Sequence, residues 1–184
     1  MAKVLKHYDQ NIFYDYIWYP MLIEIGCKMN RKLRKPQNLI NDHSYLPVLC
    51  QVSSKIWKKR KLIDQYLAHN KGKLRPEYVA VIQEWRDKAI DGDFIVIDHT
   101  PEGSILVCKE GYFLVKGVNN SWEELTLHMP LPVVVNTTLL PWKNCITTTA
   151  LVTAAPFDLP AKQYNPIWEG YQLAKKNNAI ITSL

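Results

Sequence analysis

Apolar residues recur at helical spacing through the first half of the chain and at strand spacing through much of the second. After the N-cap candidate Asp9, residues Ile12, Phe13, Tyr16, Ile17, Met21, Leu22 and Ile25 line one helix stripe. Pro20 lies inside that stripe and predicts a kink or a split, because proline lacks the N–H a helical turn uses. A basic run over 28–35 stops at Pro36, and residues 36–43 read as a loop. A second helix is predicted from Ser44, or just after Pro47, to about Ala68, carrying Leu49, Val52, Ile56, Leu62, Ile63, Tyr66 and Leu67. The residues from His69 to Gly72 end it. Pro76 and Glu77 open a third helix with Val81, Ile82, Trp85 and Ala89 inward, ending near Asp91 and Gly92.

From Asp93 the period changes to two. Residues 94–97, a turn over 100–103 and a strand over 104–108 read as a hairpin, and Glu110 and Gly111 turn the chain into a third strand over 112–118. Ser121 and Glu124 have the spacing of a capping box, so a short helix follows. Residues 133–136, behind Pro132, and 146–152 read as further extended segments. A last helix runs from about Pro166 to Asn177, and the tail 180–184 carries no assignment. Helices first and strands afterwards predict an α+β fold, with N-terminal helices packed on a small antiparallel β-meander and a C-terminal helix. The 184 residues suffice for one core, so the expectation is a single domain, 1–184, with a basic helical half (1–90) and a β-rich half (91–184).

Composition excludes disorder, since 47% of residues are hydrophobic and the net charge is only +6. The charge is unevenly placed. Residues 1–90 carry 17 Lys/Arg against 8 Asp/Glu, and residues 91–184 carry 6 against 9. Such asymmetry points either to a face for an acidic partner or to ordinary solvated helices. Cys27, Cys50, Cys108 and Cys145 form no C-x-x-C pair, and the start of the chain does not read as a signal peptide. Reduced thiols, a cytoplasmic location and no membrane partner are therefore expected.

Signatures of phosphate-cradling loops, hydrolase elbows and zinc helices are absent, so neither a cofactor, a metal nor a catalytic residue is expected. The basic runs are the positive signal. Arg31, Lys32, Arg34 and Lys35, with Lys55, Lys58, Lys59, Arg60 and Lys61, are the candidate nucleic-acid contacts, because each phosphate contact releases counterions. Trp57 beside the second run reads as a stacking residue or as core packing; together with Trp142 and Trp168 it is a candidate interface anchor. Asp98 and His99 are the one acid–histidine neighbour pair, but adjacent strand residues point to opposite faces. Asp91 and Asp93 around Gly92 suit either a metal or a helix-to-strand junction.

Several segments in order resemble a family of uncharacterised proteins from Firmicutes and their mobile elements. They are 62–67, Glu84 and Trp85 leading to 92–95, 103–105, 121–125 and 139–143, which with their surroundings span about 56–175. The family has no assigned activity, so the resemblance implies a shared fold. Relatives carry Asp-Gly where this chain has Thr149 and Ala150. Three functions follow as expectations. The first is a non-enzymatic module whose basic helical face docks on nucleic acid or a nucleoprotein, for example a mobile-element inhibitor of anti-CRISPR type. The second is a protein–protein or homodimeric role. The third is a small metal-dependent hydrolase or nuclease using Asp93, Asp98, His99 and Cys108.

Overall fold

The computed structural model describes residues 3–30, 33, 45–127, 129–155 and 160–184. The first helical stripe forms one continuous rod: α1 (His7–Asn11), a π-helical segment (Ile12–Trp18) and α2 (Tyr19–Met29). Pro20 does not end it. The wider π turns immediately before the proline take up the place where an ordinary turn would need its missing N–H. The stripe buries Phe13, Ile17, Trp18, Met21, Leu22 and Ile25.

The predicted second helix is two helices, α3 (Leu46–Lys58) and α4 (Lys61–His69). Lys59 leaves the helical region at φ −127° and ψ 66°, which turns Arg60 towards the end of α5 (Pro76–Lys88). Strands β1 (Ile90–Thr100), β2 (Gly103–Cys108) and β3 (Gly111–Val115) form the expected three-strand run. The capping box of Ser121 and Glu124 opens α6 (Trp122–Leu125). Then come β4 (Val133–Trp142), β5 (Cys145–Thr148), β6 (Thr153–Ala155) and α7 (Ala161–Lys176).

The sheet corrects the meander expectation. Its order is β1-β2-β3-β5-β4, and β1 also pairs with β4, so five strands close into a barrel with β6 added to β4. The sheet is not wholly antiparallel either, because β3 and β5 run parallel at Val115 and Ile146. Closure depends on the length of β1. Its first part, Ile90–Val96, pairs with β4, its later part pairs with β2, and a register shift between Val96 and Asp98 coils it from one partner to the other. Phe94, Val96, Leu106, Phe113, Val135 and Ile146 fill the interior, and Trp122 of α6 plugs it. This strand order, with a helix between β3 and β4, is that of the OB-type Greek-key barrel, a fold that hosts many activities.

Two layers cover the barrel. On one side the helical half shares a core with Val118, Leu140 and Trp142. On the other, Tyr164, Ile167 and Tyr171 of α7 pack over Ile97, Ile105, Val107 and Leu114. The β2–β3 face on which OB barrels carry oligonucleotides is therefore occupied by the chain's own helix. The tail is ordered against β3: Leu114 N–H donates to the Ile181 carbonyl at 2.9 Å and Ile181 N–H to the Tyr112 carbonyl at 2.8 Å. Among the described residues no helix is long and apolar enough to cross a membrane.

Candidate polyanion-binding corner

Helix α3 buries Val52, Ser53, Ile56 and Trp57 against the helical core, which leaves Lys55, Lys58 and Lys59 on the solvent side. Lys55 and Lys58 stand three residues apart and side by side on α3, and Lys59 follows as its C-cap. Lys61 opens α4 on the same corner and is exposed. Among the described residues none of these four lysines has a carboxylate within 4.0 Å.

The fifth cation of this run has a different role. Arg60 Nη1 donates to the Arg86 carbonyl at 2.6 Å and the Asp87 carbonyl at 3.2 Å, and Nη2 donates to the Ala89 carbonyl. Its fork caps the C-terminal end of α5, where the last carbonyls lack helical partners. Arg60 is thus a structural clamp, which sets it apart from the lysines of the same run. Asp91 faces this region. Burial pushes its carboxyl up, while the bond from Thr138 and the charges of Lys58 and Arg60 oppose that rise. Lys58 is therefore partly compensated, and Lys55, Lys59 and Lys61 carry most of the corner's charge. Arg31, Lys32, Arg34 and Lys35 lie outside the described residues.

Two of the three indoles expected at an interface are core residues. Trp57 is 3% exposed, stacks on Trp18 at 5.6 Å between centroids and donates its Nε1–H to Ser53 Oγ at 3.2 Å. Trp142 is 4% exposed and meets Phe13 edge-on at 5.2 Å. Trp168 is 36% exposed, resting edge-on against Tyr171, and is the one of the three at the surface.

The residues of the hydrolase reading are engaged separately. Asp93 accepts from Asn136 Nδ2 at 2.8 Å, and Asp98 accepts from the Tyr171 hydroxyl at 2.8 Å. His99 Nδ1 pairs with Ser104 Oγ at 2.7 Å across β1 and β2. Cys108 donates to Glu110 Oε2 at 2.8 Å, and burial together with that carboxylate pushes its thiol up to about 11. Among the described residues no three His, Cys, Asp or Glu side chains gather as metal ligands. Asp91 and Asp93 serve the junction role, opening β1 and reaching Thr138 and Asn136 on β4.

Sequence reasoning missed the clamp of Arg60 and the exposed tyrosines. Tyr8 is 73% and Tyr16 58% exposed, and Tyr78 lies 6.4 Å from Tyr16 with the Arg75 guanidinium 5.6 Å from its ring centre. The early helix pattern counted Tyr16 as part of the apolar stripe. Its neighbours in that stripe, Phe13 and Ile17, are the buried ones. No family model matches the chain, and no curated protein or solved structure matches it.

Proposed function

We propose that the protein is a non-enzymatic binding module of the cytoplasm that docks on nucleic acid or a nucleoprotein through the corner between α3 and α4. The reading is supported by Lys55, Lys58, Lys59 and Lys61, which are exposed at the adjoining ends of α3 and α4 and, among the described residues, have no carboxylate within 4.0 Å. A polyanion laid across them exchanges condensed counterions for lysines. The resemblance to mobile-element proteins gives the nucleoprotein form a concrete case, an inhibitor of anti-CRISPR type.

Fluorescence polarisation with a labelled duplex and a labelled single strand tests it. Four phosphate contacts imply about a hundredfold loss of affinity between 50 and 200 mM salt, and removing one lysine lowers the log–log slope by about one. Lys59→Ala and Lys61→Ala are expected to do this for every sequence alike. Absence of binding by the wild type at low salt ends the direct nucleic-acid reading.

A second reading, a protein–protein or homodimeric contact, is favoured by the Tyr8, Tyr16, Tyr78 and Arg75 surface, since tyrosine and arginine are enriched at interface hot spots. Sedimentation velocity separates the homodimer from the monomer, and Tyr16→Ala is expected to dissociate the former.

A further inference from the structure

A groove of about 580 Å³ opens between α7, the start of β1 and the β2–β3 turn, a volume within the range of small-molecule sites. The strand register builds its floor. Ile95 pairs with Val107 on β2 and with Val134 on β4, so three apolar side chains stand abreast across three strands, and Ile167 of α7 walls one side. Two residues earlier on the same face of β1 stands Asp93, opposite Asn136. Two earlier again stands Asp91, opposite Thr138.

Those partners fix both carboxylates while leaving each an acceptor. Asn136 Nδ2 holds Asp93 Oδ1 at 2.8 Å and Thr138 Oγ1 holds Asp91 Oδ1 at 2.7 Å, and among the described residues neither Oδ2 receives a hydrogen bond. Glu110 adds a third carboxylate at the β2–β3 turn. The cation in the lining is Lys109, whose side chain is 89% exposed and 3.6 Å from Glu110; Lys58 and Arg60 face Asp91 from the helical side. The groove is thus an apolar bed whose head carries the Asp91, Asp93 and Glu110 carboxylates.

We propose that this groove binds a small organic cation, a primary amine with an alkyl or aryl body. The body lies on the Ile95, Val107 and Val134 row, and the ammonium donates to the open oxygens of Asp91 and Asp93. An ammonium has three donors and no acceptor, which suits two carboxylates whose other oxygens already accept from Asn136 and Thr138.

Amide-resolved NMR titration tests this with three ligands that share one ring: tryptamine as the cation, tryptophol as the neutral analogue and indole-3-acetate as the anion. Tryptamine is expected to shift the amides of Asp93, Ile95, Val107, Cys108 and Val134 saturably, with tryptophol about tenfold weaker and indole-3-acetate without effect. Asp93→Asn, at an exposed position, is expected to weaken tryptamine about tenfold, and Val134→Phe to block it by filling the bed. Lys59→Ala should leave tryptamine binding unchanged, which separates this site from the polyanion corner. Equal shifts from all three ligands, no shift at about 10 mM tryptamine, or an unchanged affinity in Asp93→Asn would overturn the proposal.

Discussion

Trp85 Nε1 donates a 2.8 Å hydrogen bond to the carbonyl of Pro141, from a side chain with no exposed surface. The bond joins the last turn of α5 to β4, and Phe13 from the π segment packs on the same indole at 4.9 Å. The helical half and the barrel are therefore tied through one aromatic cluster, in which Trp142 also takes part.

Removing only that donor tests the tie. Trp85→Phe is expected to cost about 1–3 kcal/mol by leaving the Pro141 carbonyl without its partner. Trp85→Ala should cost about 3–5 kcal/mol through the cavity it opens. Urea unfolding followed by far-UV circular dichroism and by tryptophan fluorescence should show both signals moving to a lower midpoint together. Helix loss ahead of the fluorescence change would mean that the bond does not couple the two halves.

Arg60 gives a second stability prediction, opposite to that for its neighbours. Arg60→Ala takes donors from three carbonyls at the end of α5 and is expected to destabilise by about 1–3 kcal/mol. Arg60→Lys should recover little of this, since a single ammonium cannot reproduce a planar fork reaching several acceptors. Lys59→Ala and Lys61→Ala, at exposed positions, should change stability by less than about 0.5 kcal/mol. Thermal melts of the four variants decide whether the run holds one clamp among free lysines or five equivalent surface cations.

The contrast within this run shows what was legible in the chain. Local periodicity revealed α5, the three-strand run and the capping box at Ser121, because each depends on residues within a few positions of one another. Barrel closure was not legible. It rests on pairing Ile90–Val96 with Val133–Leu139, 37 to 49 residues away, and alternation along one strand does not name its neighbour. The same limit hid the groove, whose floor is a row across three strands, whereas the burial of Trp57 is the core alternative that its apolar neighbour Ile56 offered. Charge counts marked the basic run as a whole but could not separate Arg60 from its lysines, since a guanidinium reads alike whether it faces water or carbonyls.

Tyr66 makes stability fall at alkaline pH. Burial, then the nearby Glu24 carboxylate, pushes its phenol up to about 12. The unfolded chain ionises near 10, so the folded state holds the proton more tightly and the contribution is complete below about pH 10. It is lost as pH rises towards 12. At pH 11 the loss from this residue is about 1.4 kcal/mol relative to pH 8. Tyr171 adds to the same trend, raised by burial and by its bond to Asp98. Urea midpoints at the two pH values should therefore drop less in Tyr66→Phe than in the wild type, and an identical drop would remove Tyr66 as a cause.

Cys108 is held as a thiol by the same kind of argument. Burial, then the hydrogen bond to Glu110, pushes it up to about 11, so little thiolate exists at neutral pH and alkylation at pH 8 should run about a hundredfold slower than for an unperturbed cysteine. Glu110→Gln removes the carboxylate but leaves the burial. The midpoint of the iodoacetamide pH–rate profile at Cys108, followed by peptide mass spectrometry, is expected to move down part of the way to the usual thiol range. A midpoint that does not move would assign the whole effect to burial. Either way the proton is retained where a nucleophile would have to release it, so the surroundings of Cys108 work against thiolate chemistry at this turn.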